Sequence, residues 1–311
     1  MMDNIYILLL AITIDLGLGD PPTRFHPVGW MGKLISFFET IAPKSGRAAP
    51  FSYGVFAVLL GTAIFTAPVY FLLEYLEGAN RIAYIAVGAL VLKSTFSVRG
   101  LHRSASQVRK QLESNNLKKA RAQMPSLVSR NPEKLDESLI VAATVESVSE
   151  NTSDSFVAPL FWFLIFGIPG AVAYRMVNTF DSTIGYRGTF EYRGKFAART
   201  DDLLNLIPAR LTGLVIVTAA FLSRKKGAQA WQIMIRDHSK TQSPNAGWPM
   251  SAAAGSLGVQ LEKTGHYTLG NEHNPLSANT ISAMLRIMWL VTGIWSLLCL
   301  GIEGVKHALA T

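Results

Sequence analysis

The chain has 311 residues, of which 49% are hydrophobic and only 16% are charged, whereas soluble domains average about 25% charged residues. This composition argues against an ordinary water-soluble domain and favours a membrane protein. The formal net charge of +8 suits anionic lipid or phosphate-bearing ligands, and nucleic acid is disfavoured because no basic block with interleaved aromatic residues and no zinc-finger pattern occurs.

The chain opens with an apolar segment, NIYILLLAITIDLGLG. It carries Asp15 and lacks the basic start and small-residue cleavage site of a signal peptide, so we interpret it as a retained helix. The next apolar run, residues 55–73, contains no charged side chain and is long enough to span a bilayer. Residues 82–92, extended through the weakly polar KSTFSV, predict a second span.

Residues 99–134 are rich in lysine and arginine, which by the positive-inside rule places this segment in the cytoplasm. Its composition is helical, and a following helix is predicted to open at Asn131 with Pro132 in its first position. We therefore expect one membrane-embedded domain over residues 1–311, with a cytoplasmic helical insertion at about residues 99–155.

The apolar run at residues 156–174 has polar groups of functional character on both flanks. If those groups work together they must lie on one side of the bilayer, so we predict a broken or re-entrant segment that turns near Ile168, Pro169 and Gly170. Residues 211–223 form a short apolar run that the flanking charges do not orient. Residues 287–302 predict a final span, in which the lone Cys299 is a packing residue. The predicted fold is a mainly α, polytopic integral membrane protein.

Acidic and amide side chains gather just before the 156–174 run, in ESVSENTSDSF. Glu146 and Glu150 are four residues apart and share a helix face, and Asp154 continues that direction if the helix does not end at Asn151-Thr152. Carboxylate and amide oxygens suit magnesium, particularly magnesium that also bridges a phosphate. Taken alone, two glutamates at this spacing are more often solvated surface charges.

Two further stretches shift that balance towards function. In NTFDSTIGYR an amide and a carboxylate lie on adjacent helical turns before an arginine, and in ARTDDLLNLIPAR a carboxylate and an amide share a helix face between arginines. Three such clusters beside apolar runs are hard to explain by packing, and ionisable groups at a membrane are candidates for function. The candidates of this second group are Asn178, Asp181, Arg187, Arg199, Asp201, Asp202, Asn205 and Arg210.

Two other segments are weaker candidates. Arg236 precedes a turn that holds Asn245 and leads into a run of small residues, a pattern equally typical of a surface turn before a packing helix. His26 lies on a loop rich in proline and glycine, where a histidine is more often structural than catalytic. The sequence contains no P-loop, no dinucleotide fingerprint and no HExxH zinc motif.

Five of these stretches together resemble the CbiB/CobD family, the cobalamin biosynthesis membrane proteins called adenosylcobinamide-phosphate synthases. They are DLGLGDPPTRFHPVGWMG, ESVSENTSDSFVAPLFW, YRMVNTFDSTIGYR, ARTDDLLNLIPARLTG and SPNAGWPMSAAAGSLGVQL, in order from about residue 15 to about residue 267. The segment KTGHYTLGNEHNPLS resembles the tail of the family more loosely.

The resemblance implies an ATP-dependent amide ligation between adenosylcobyric acid and an aminopropanol, as its O-phosphate or as a related amino alcohol or phosphothreonine. Mg²⁺ would neutralise the triphosphate, arginines would hold phosphates, and a base would accept the proton of the amine. By residue type, the catalytic candidates are Glu146, Glu150, Asp154, Asp181 and Asp202, and the metal-binding candidates are Glu150, Asp181, Asp201 and Asp202. The candidates for binding substrate or phosphate are Asn151, Asn178, Arg187, Arg199, Asn205, Arg210, Arg236, Asn245 and His26.

The resemblance also implies a multi-pass protein of the inner or plasma membrane whose active site faces the cytoplasm. Its partners are the corrinoid, the amino alcohol phosphate and membrane lipid, with a second copy of the chain or other enzymes of cobalamin assembly left open. Three other functions stay open: an AmpE-like membrane sensor, a corrinoid transporter, and a magnesium-dependent membrane transferase acting on a diphosphate lipid. A sensor does not need all the clusters, a transporter more often shows inverted halves, and the DxxxD spacing usual for such a transferase is missing.

Overall fold

The computed structural model describes residues 2–43, 45–127, 132–185, 191–224 and 226–310. The longer elements are, in chain order, α1 (Met2–Gly17), α2 (Pro27–Ile41), α3 (Ala48–Ala79), α4 (Arg81–Lys93), α5 (Val98–Glu113), α6 (Leu117–Gln123), α7 (Glu137–Thr152), α8 (Ala158–Ile184), α9 (Lys195–Leu204), α10 (Leu206–Leu222), α11 (Gly227–Asp237), α12 (Gly247–Leu257), β1 (Gln260–Lys263), β2 (Tyr267–Gly270) and α13 (Ala278–Ala310). Single turns of 3₁₀ helix occur at Thr23–Phe25, Met124–Ser126, Pro132–Lys134 and His238–Lys240, and a π-helical turn at Ser153–Val157 joins α7 to α8.

Four helical stretches in the described part of the chain are long and apolar enough to cross a membrane. They are Ala48–Ala79, Arg81–Glu113, Glu137–Ile184 and Ala278–Leu309. A fifth arises if α9 and α10, which are bent by 48° at their junction, are counted as one span. The predicted spans at residues 55–73, 82–92, 156–174 and 287–302 all fall within these helices, and the prediction of a polytopic helical membrane protein is confirmed.

The chain divides into two compact units. Unit 1 comprises Met1–Ser97, Ala158–Asn205 and Leu298–Thr311, and unit 2 comprises Val98–Val157 and Leu206–Leu297. The predicted insertion at residues 99–155 therefore groups with residues 206–297. That residues 1–311 form a single domain stays a prediction.

In unit 1, close helix packing depends on residues without large side chains. Gly61 of α3 lies against Phe180 and Met176 of α8, and Gly88 of α4 lies against Ile7 of α1. Without a hydrophobic driving force between helices in lipid, such small residues let the backbones approach closely and gain dispersion energy.

The predicted break in the 156–174 run lies at Gly167, one residue before the predicted turn. Its φ of 66° and ψ of −162° fall in a region that essentially only glycine adopts. Leu164, in the turn before this break, has a carbonyl that accepts a hydrogen bond from the Lys306 ammonium of α13. The break is thus stabilised by a donor from another helix, as a broken helix in a membrane requires.

One predicted helix boundary is wrong. The predicted start at Asn131 lies outside the described residues, but Pro132 belongs to a 3₁₀ turn and α7 begins only at Glu137. There the Asp136 carboxylate accepts the Leu139 N–H at 2.8 Å, which is the usual way to satisfy an orphan donor at a helix start. The second predicted span does extend through KSTFSV, because Arg81–Glu113 is long and apolar enough as a whole to cross a membrane, with a short break between the end of α4 at Lys93 and the start of α5 at Val98.

In unit 2, α12 is a helix of small residues that is buried along its whole length and packs against α10 and α11. An antiparallel hairpin follows, in which Leu261 pairs with Leu269, and its turn contains Gly265 with a φ of 75°. No strand is predicted from the sequence here, because each strand has only four residues, too few to show a clear alternation. The Thr264-Gly265 pair is the turn signal that could have indicated the hairpin.

Candidate functional site

A buried carboxylate in unit 1 is held by neutral donors. Asp201 of α9 is only 8% exposed, and its two oxygens accept hydrogen bonds from the side-chain amides of Asn178 at 3.2 Å and Asn205 at 2.9 Å. Asn205 in turn accepts a hydrogen bond from the Tyr174 hydroxyl at 2.9 Å, and an Arg175 N–H lies 3.4 Å from the Asn178 carbonyl oxygen. The predicted grouping of Asn178, Asp201 and Asn205 is therefore observed in the structure.

The next residue, Asp202, faces a different environment. Its carboxylate is partly exposed and lies 3.8 Å from the Arg199 guanidinium, whose side chain is 75% exposed. An exposed arginine beside a partly exposed carboxylate can meet an incoming phosphate group. Asp181 lies on α8, one turn beyond Asn178, while the predicted Arg187 lies outside the described residues.

The acidic candidates of unit 2 lie on α7 and the π-helical turn that follows it. Glu146 is buried, while Glu150, Asn151 and Asp154 are partly exposed. The α-helix ends at Thr152, within the boundary on which the prediction for Asp154 depended, and the chain passes directly into the π-helical turn Ser153–Val157. Such π-helical turns are rare and occur frequently at functional sites. Nothing in the residue spacing reveals this turn, so sequence reasoning could not place Asp154 relative to Glu150.

The Asn151 amide has a local role in this turn. It donates to the Ser147 carbonyl at 2.9 Å and accepts a hydrogen bond from the Ser155 hydroxyl at 3.4 Å. These bonds connect the last turn of α7 to the π-helical turn. They fix the direction in which the neighbouring carboxylates project, whatever those carboxylates bind.

A second buried carboxylate, Asp237 in unit 2, is surrounded by cations. Its oxygens accept two hydrogen bonds from Arg236, at 2.8 and 2.7 Å, lie 2.6 Å from the Lys240 ammonium, and accept the Gly270 N–H at 2.8 Å. Burial raises the pKa of Asp237, but these donors outweigh it and lower the pKa to about 2. Arg236 also donates to Asn271 at 3.0 Å, so its contacts connect α11 to the hairpin, and its predicted role in phosphate binding stays a prediction.

Three side chains of unit 2 stack beside this ion pair. The Trp248 indole lies 3.9 Å from the His238 ring at an interplanar angle of 16°, and the Arg210 guanidinium lies 4.8 Å from the Trp248 ring centre. Burial and the nearby Arg210 charge lower the pKa of His238, so the imidazole is neutral near pH 7. Asn245 is buried in the turn before α12, and its backbone carbonyl accepts a hydrogen bond from the Trp248 backbone N–H at 3.1 Å.

Unit 1 contains an ion cluster that the sequence only partly indicates. The Lys93 ammonium lies 3.0 Å from the Asp15 carboxylate and 2.5 Å from the Asp20 carboxylate. His26 lies 3.6 Å from Asp20, and Ser97 donates a hydrogen bond to Asp20. Burial raises the pKa of Asp20, but hydrogen bonds from His26, Lys93 and Ser97 outweigh it and hold the pKa well below its usual range.

Sequence reasoning named His26 in this cluster but missed Lys93. The signal was available, because Lys93 ends an apolar run and a lone cation at membrane depth requires an acidic partner. His26 has a structural task as well: its Nδ1 accepts the Val28 N–H at 3.1 Å and so caps α2.

The described residues do not provide a metal cage made of protein ligands alone, since no group of three or more Asp, Glu, His or Cys side chains is placed to hold an ion. Magnesium that arrives with a nucleotide needs only one or two carboxylates, because phosphate oxygens and waters complete its shell. Asp202 in unit 1 and Glu150 in unit 2 are each a partly exposed carboxylate of this kind. Magnesium binding by Glu150, Asp181, Asp201 and Asp202 stays a prediction.

Membrane-spanning helices that carry buried carboxylates, amides and cations define a polytopic membrane protein with ionisable clusters inside its helical units. The family model described as CobD/Cbib protein matches residues 8–288 of this chain. The chain therefore belongs to the CobD/CbiB family, and its role lies in cobalamin biosynthesis.

Individual relatives agree with this assignment. The chain is 53% identical over 301 residues to the cobalamin biosynthesis protein CobD of Dehalococcoides mccartyi (strain CBDB1), covering 97% of this chain and 98% of the relative. It is 37% identical over 303 residues to the probable cobalamin biosynthesis protein CobD of Methanothermobacter thermautotrophicus, covering 97% and 98%. It is 38% identical over 292 residues to the cobalamin biosynthesis protein CobD of Geobacter metallireducens, covering 91% and 92%. No solved structure matches this chain significantly.

Proposed function

We propose that this protein is an adenosylcobinamide-phosphate synthase. It joins the free propionate carboxylate of adenosylcobyric acid to the amine of (R)-1-aminopropan-2-ol O-phosphate, or of a related amino alcohol, at the expense of ATP. Membership of the CobD/CbiB family supports the pathway. The observation that carries the reaction is the Asp201 carboxylate, buried among the neutral amides of Asn178 and Asn205, next to the partly exposed Asp202 and the exposed Arg199.

The proposed reaction has two steps. A carboxylate oxygen of the corrinoid attacks the terminal phosphorus of ATP, the bond from that phosphorus to the bridging oxygen breaks, and ADP leaves. The amine nitrogen then attacks the acyl carbon of the resulting acyl phosphate, the C–O bond to phosphate breaks, and inorganic phosphate leaves as the amide forms. The nitrogen must lose its extra protons, so a base is needed within hydrogen-bond reach.

The residues of the chain divide between these tasks by charge and exposure. Asp202 and Glu150 are partly exposed carboxylates that can accept the proton of the amine. Arg199 and Arg210 can contact phosphate oxygens, which guanidinium groups bind with paired hydrogen bonds. Magnesium would neutralise charge on the triphosphate. Asp202 in unit 1 and Glu150 in unit 2 are each a partly exposed carboxylate of the kind that ligates it.

The proposal includes a location and partners. The basic residues between 99 and 134 favour a site that faces the cytoplasm from the inner or plasma membrane, where ATP is available. The ligands are the corrinoid and the amino alcohol phosphate, with membrane lipid around the helices. A second copy of the chain, or another enzyme of cobalamin assembly, would contact the protein from outside the site.

The test uses the purified protein in detergent with adenosylcobyric acid, 1-aminopropan-2-ol O-phosphate, ATP and Mg²⁺. Phosphate release and the mass of the corrinoid are followed together. We expect one phosphate to be released for each corrinoid that is converted to the amide. The mass of that corrinoid should rise by the mass of the amino alcohol phosphate minus one water. Phosphate release without a change in corrinoid mass, or no conversion by protein that still binds the corrinoid, would contradict the proposed reaction.

A further inference from the structure

A groove of about 490 Å³ runs along one face of α5 in unit 2, and the proposed reaction does not use it. All of its lining residues belong to this helix: Arg99, His102, Arg103, Ser106, Gln107 and Lys110. The buried residues of the same helix are Val98, Ala105, Val108 and Leu112. The apolar side of α5 therefore fixes the helix to unit 2, and the polar side carries the groove.

The groove holds cations that no carboxylate neutralises. Arg103 and Lys110 are exposed, and neither forms an ion pair within the described part of the chain. Residues 98–123 contain seven lysines and arginines but a single acidic residue, Glu113. The Glu113 carboxylate lies 3.5 Å from the Arg109 guanidinium. The charges of Arg103 and Lys110 are therefore available to an anion.

The spacing of the groove side chains suits a phosphate group. Arg103 and Lys110 are seven residues apart, so they share a face of α5 and are separated by two turns, or about 10 Å of helix axis. Ser106 and Gln107 lie between them on the groove. The two long side chains can converge on a group bound at Ser106 and Gln107. A guanidinium binds phosphate oxygens with paired hydrogen bonds, and hydroxyl and amide groups can donate further ones.

The Ser106 hydroxyl is a second observation that favours a bound acceptor. Its oxygen is buried and makes no hydrogen bond to any described residue, although buried polar atoms are nearly always paired. Serines in other helices of this chain donate to the carbonyl four residues earlier, as Ser182 does to Asn178. A phosphate oxygen in the groove would accept the Ser106 hydrogen bond and so satisfy the hydroxyl.

A further cation flanks the groove from α13. Ser282 of this helix accepts a hydrogen bond from the Arg109 guanidinium at 3.1 Å, and the centre of the Trp289 ring lies 5.5 Å from that of the His102 ring. Arg286 lies between these two contacts, four residues after the first and three before the second, on the same face of α13. Its side chain is exposed, so the side of the groove next to α13 also carries positive charge.

We propose that this groove binds a phosphate group, held by Arg103 and Lys110 with the Ser106 hydroxyl and the Gln107 amide as further donors. Two sources can supply the phosphate. One is the headgroup of an anionic phospholipid, because only four residues separate the apolar α4 from α5, and basic residues that directly follow a membrane span meet lipid headgroups. The other is a soluble phosphate ester such as ATP, and only this source rests on the proposed function.

The test measures binding to the full-length protein in detergent without corrinoid, so that failure of the proposed ligation leaves its result unaffected. For the lipid, native mass spectrometry compares retention of dioleoylphosphatidylglycerol with that of dioleoylglycerol, which lacks the phosphate. For the soluble ester, calorimetry compares ATP with adenosine. We expect at least one phosphate-bearing probe to bind about tenfold or more tightly than its phosphate-free counterpart, as hydrogen bonds between charged groups allow.

Arg103→Gln combined with Lys110→Gln removes two charges from the groove and keeps side chains that favour a helix, so it should weaken binding of the preferred probe about tenfold or more. Lys118→Gln combined with Lys119→Gln is the matched control. It removes the same charge from exposed positions of α6 that do not line the groove, and it should leave binding unchanged. If the groove variant does not fold, Ser106→Ala carries the test. Its hydroxyl has no hydrogen bond to lose within the described residues, so the protein should stay folded while binding weakens about fivefold or more.

The outcomes separate the sources. Weaker binding of the phospholipid alone in the groove variant identifies a lipid headgroup site, and weaker binding of ATP alone identifies a nucleotide site. Loss of both identifies a phosphate site that accepts either ligand. Unchanged binding of both phosphate-bearing probes in the groove variant, or in Ser106→Ala where it carries the test, would overturn the proposal. An equal loss in the Lys118→Gln, Lys119→Gln control would also overturn it. Weaker binding in the groove variant together with a failed ligation assay would leave this site standing and remove the proposed function.

Discussion

Asp201 and Asp237 are both buried carboxylates at the end of a helix, but their neighbours differ. Asp201 accepts hydrogen bonds from two neutral amides, those of Asn178 and Asn205. Asp237 is fully buried and is surrounded by the cations of Arg236 and Lys240 and a backbone N–H. The first carboxylate is solvated without being neutralised, while the second is neutralised within the protein.

This difference predicts a functional role for Asp201 and a structural role for Asp237. Neutral donors stabilise the charged form of a carboxylate yet leave its field available to an incoming cation or metal. Cationic donors cancel that field, and the resulting pair connects α11 to the hairpin.

The largest expected effect is a loss of ligation rate when a partly exposed candidate carboxylate is neutralised. Asp202→Asn and Glu150→Gln should each lower the rate of ligation by about 10³-fold or more, about 4 kcal/mol of activation free energy. Membrane insertion should remain intact, and the free energy of unfolding should stay within about 0.5 kcal/mol of the unchanged protein. The measurement is turnover by purified protein of confirmed helical content. Glu113→Gln, at an exposed pair with Arg109, is the control, and normal turnover in both test variants would remove the site assignment.

The next effect concerns stability at Asp237. Asp237→Asn leaves Arg236 and Lys240 around a neutral amide, so the free energy of unfolding should fall by about 3 kcal/mol. Turnover by the protein that remains folded should be unchanged. Unfolding in detergent by denaturant titration measures the first quantity.

Asp201→Asn, unlike Asp237→Asn, should lower turnover as well as stability. Its new NH₂ group would face the amide NH₂ of Asn178 or Asn205, costing about 1–3 kcal/mol, and turnover should fall by more than this loss of stability explains. Equal loss of stability and unchanged turnover in both variants would erase the distinction between the two carboxylates.

A pH dependence follows from the lowered pKa of Asp237. The pKa falls from 3.8 to about 2 on folding, so this group contributes stability above about pH 4 and loses it as the pH falls towards 2. The contribution is about 2 kcal/mol. The melting temperature of the protein should drop over this window, and the drop should be smaller in Asp237→Asn. Parallel curves for the two proteins would show that Asp237 is not the titrating group.

Sequence reasoning succeeded where contacts are local. Asp201 and Asn205 are four residues apart, and their predicted shared face appears as a hydrogen bond of 2.9 Å. The apolar runs likewise predicted the spanning helices, because length and composition alone decide whether a helix can cross a bilayer.

Sequence reasoning failed where the position of a side chain depends on partners far away in the chain or on the exact helix geometry. Lys93 joins Asp15 and Asp20 across more than seventy residues of chain, and no spacing rule connects them. The π-helical turn at Ser153–Val157 changes the direction of Asp154 by a geometry that propensities do not encode. The contacts of Arg236 with Gly270 and Asn271 likewise join residues more than thirty positions apart, which no spacing rule predicts.

The smallest expected effect on turnover is that of a substitution at Tyr174, which contacts the Asp201 cluster through Asn205. Tyr174→Phe removes the hydroxyl that donates to Asn205 at 2.9 Å, which should cost about 1 kcal/mol of unfolding free energy. Because Asn205 would keep its bond to Asp201 but lose part of its orientation, turnover should fall only a few-fold. Tyr70→Phe, at a half-exposed position on α3, is the matched control and should change neither quantity. A loss of turnover as large as that of Asp202→Asn would show that the hydroxyl contacts a substrate, and the amides around Asp201 would then be supports for Tyr174.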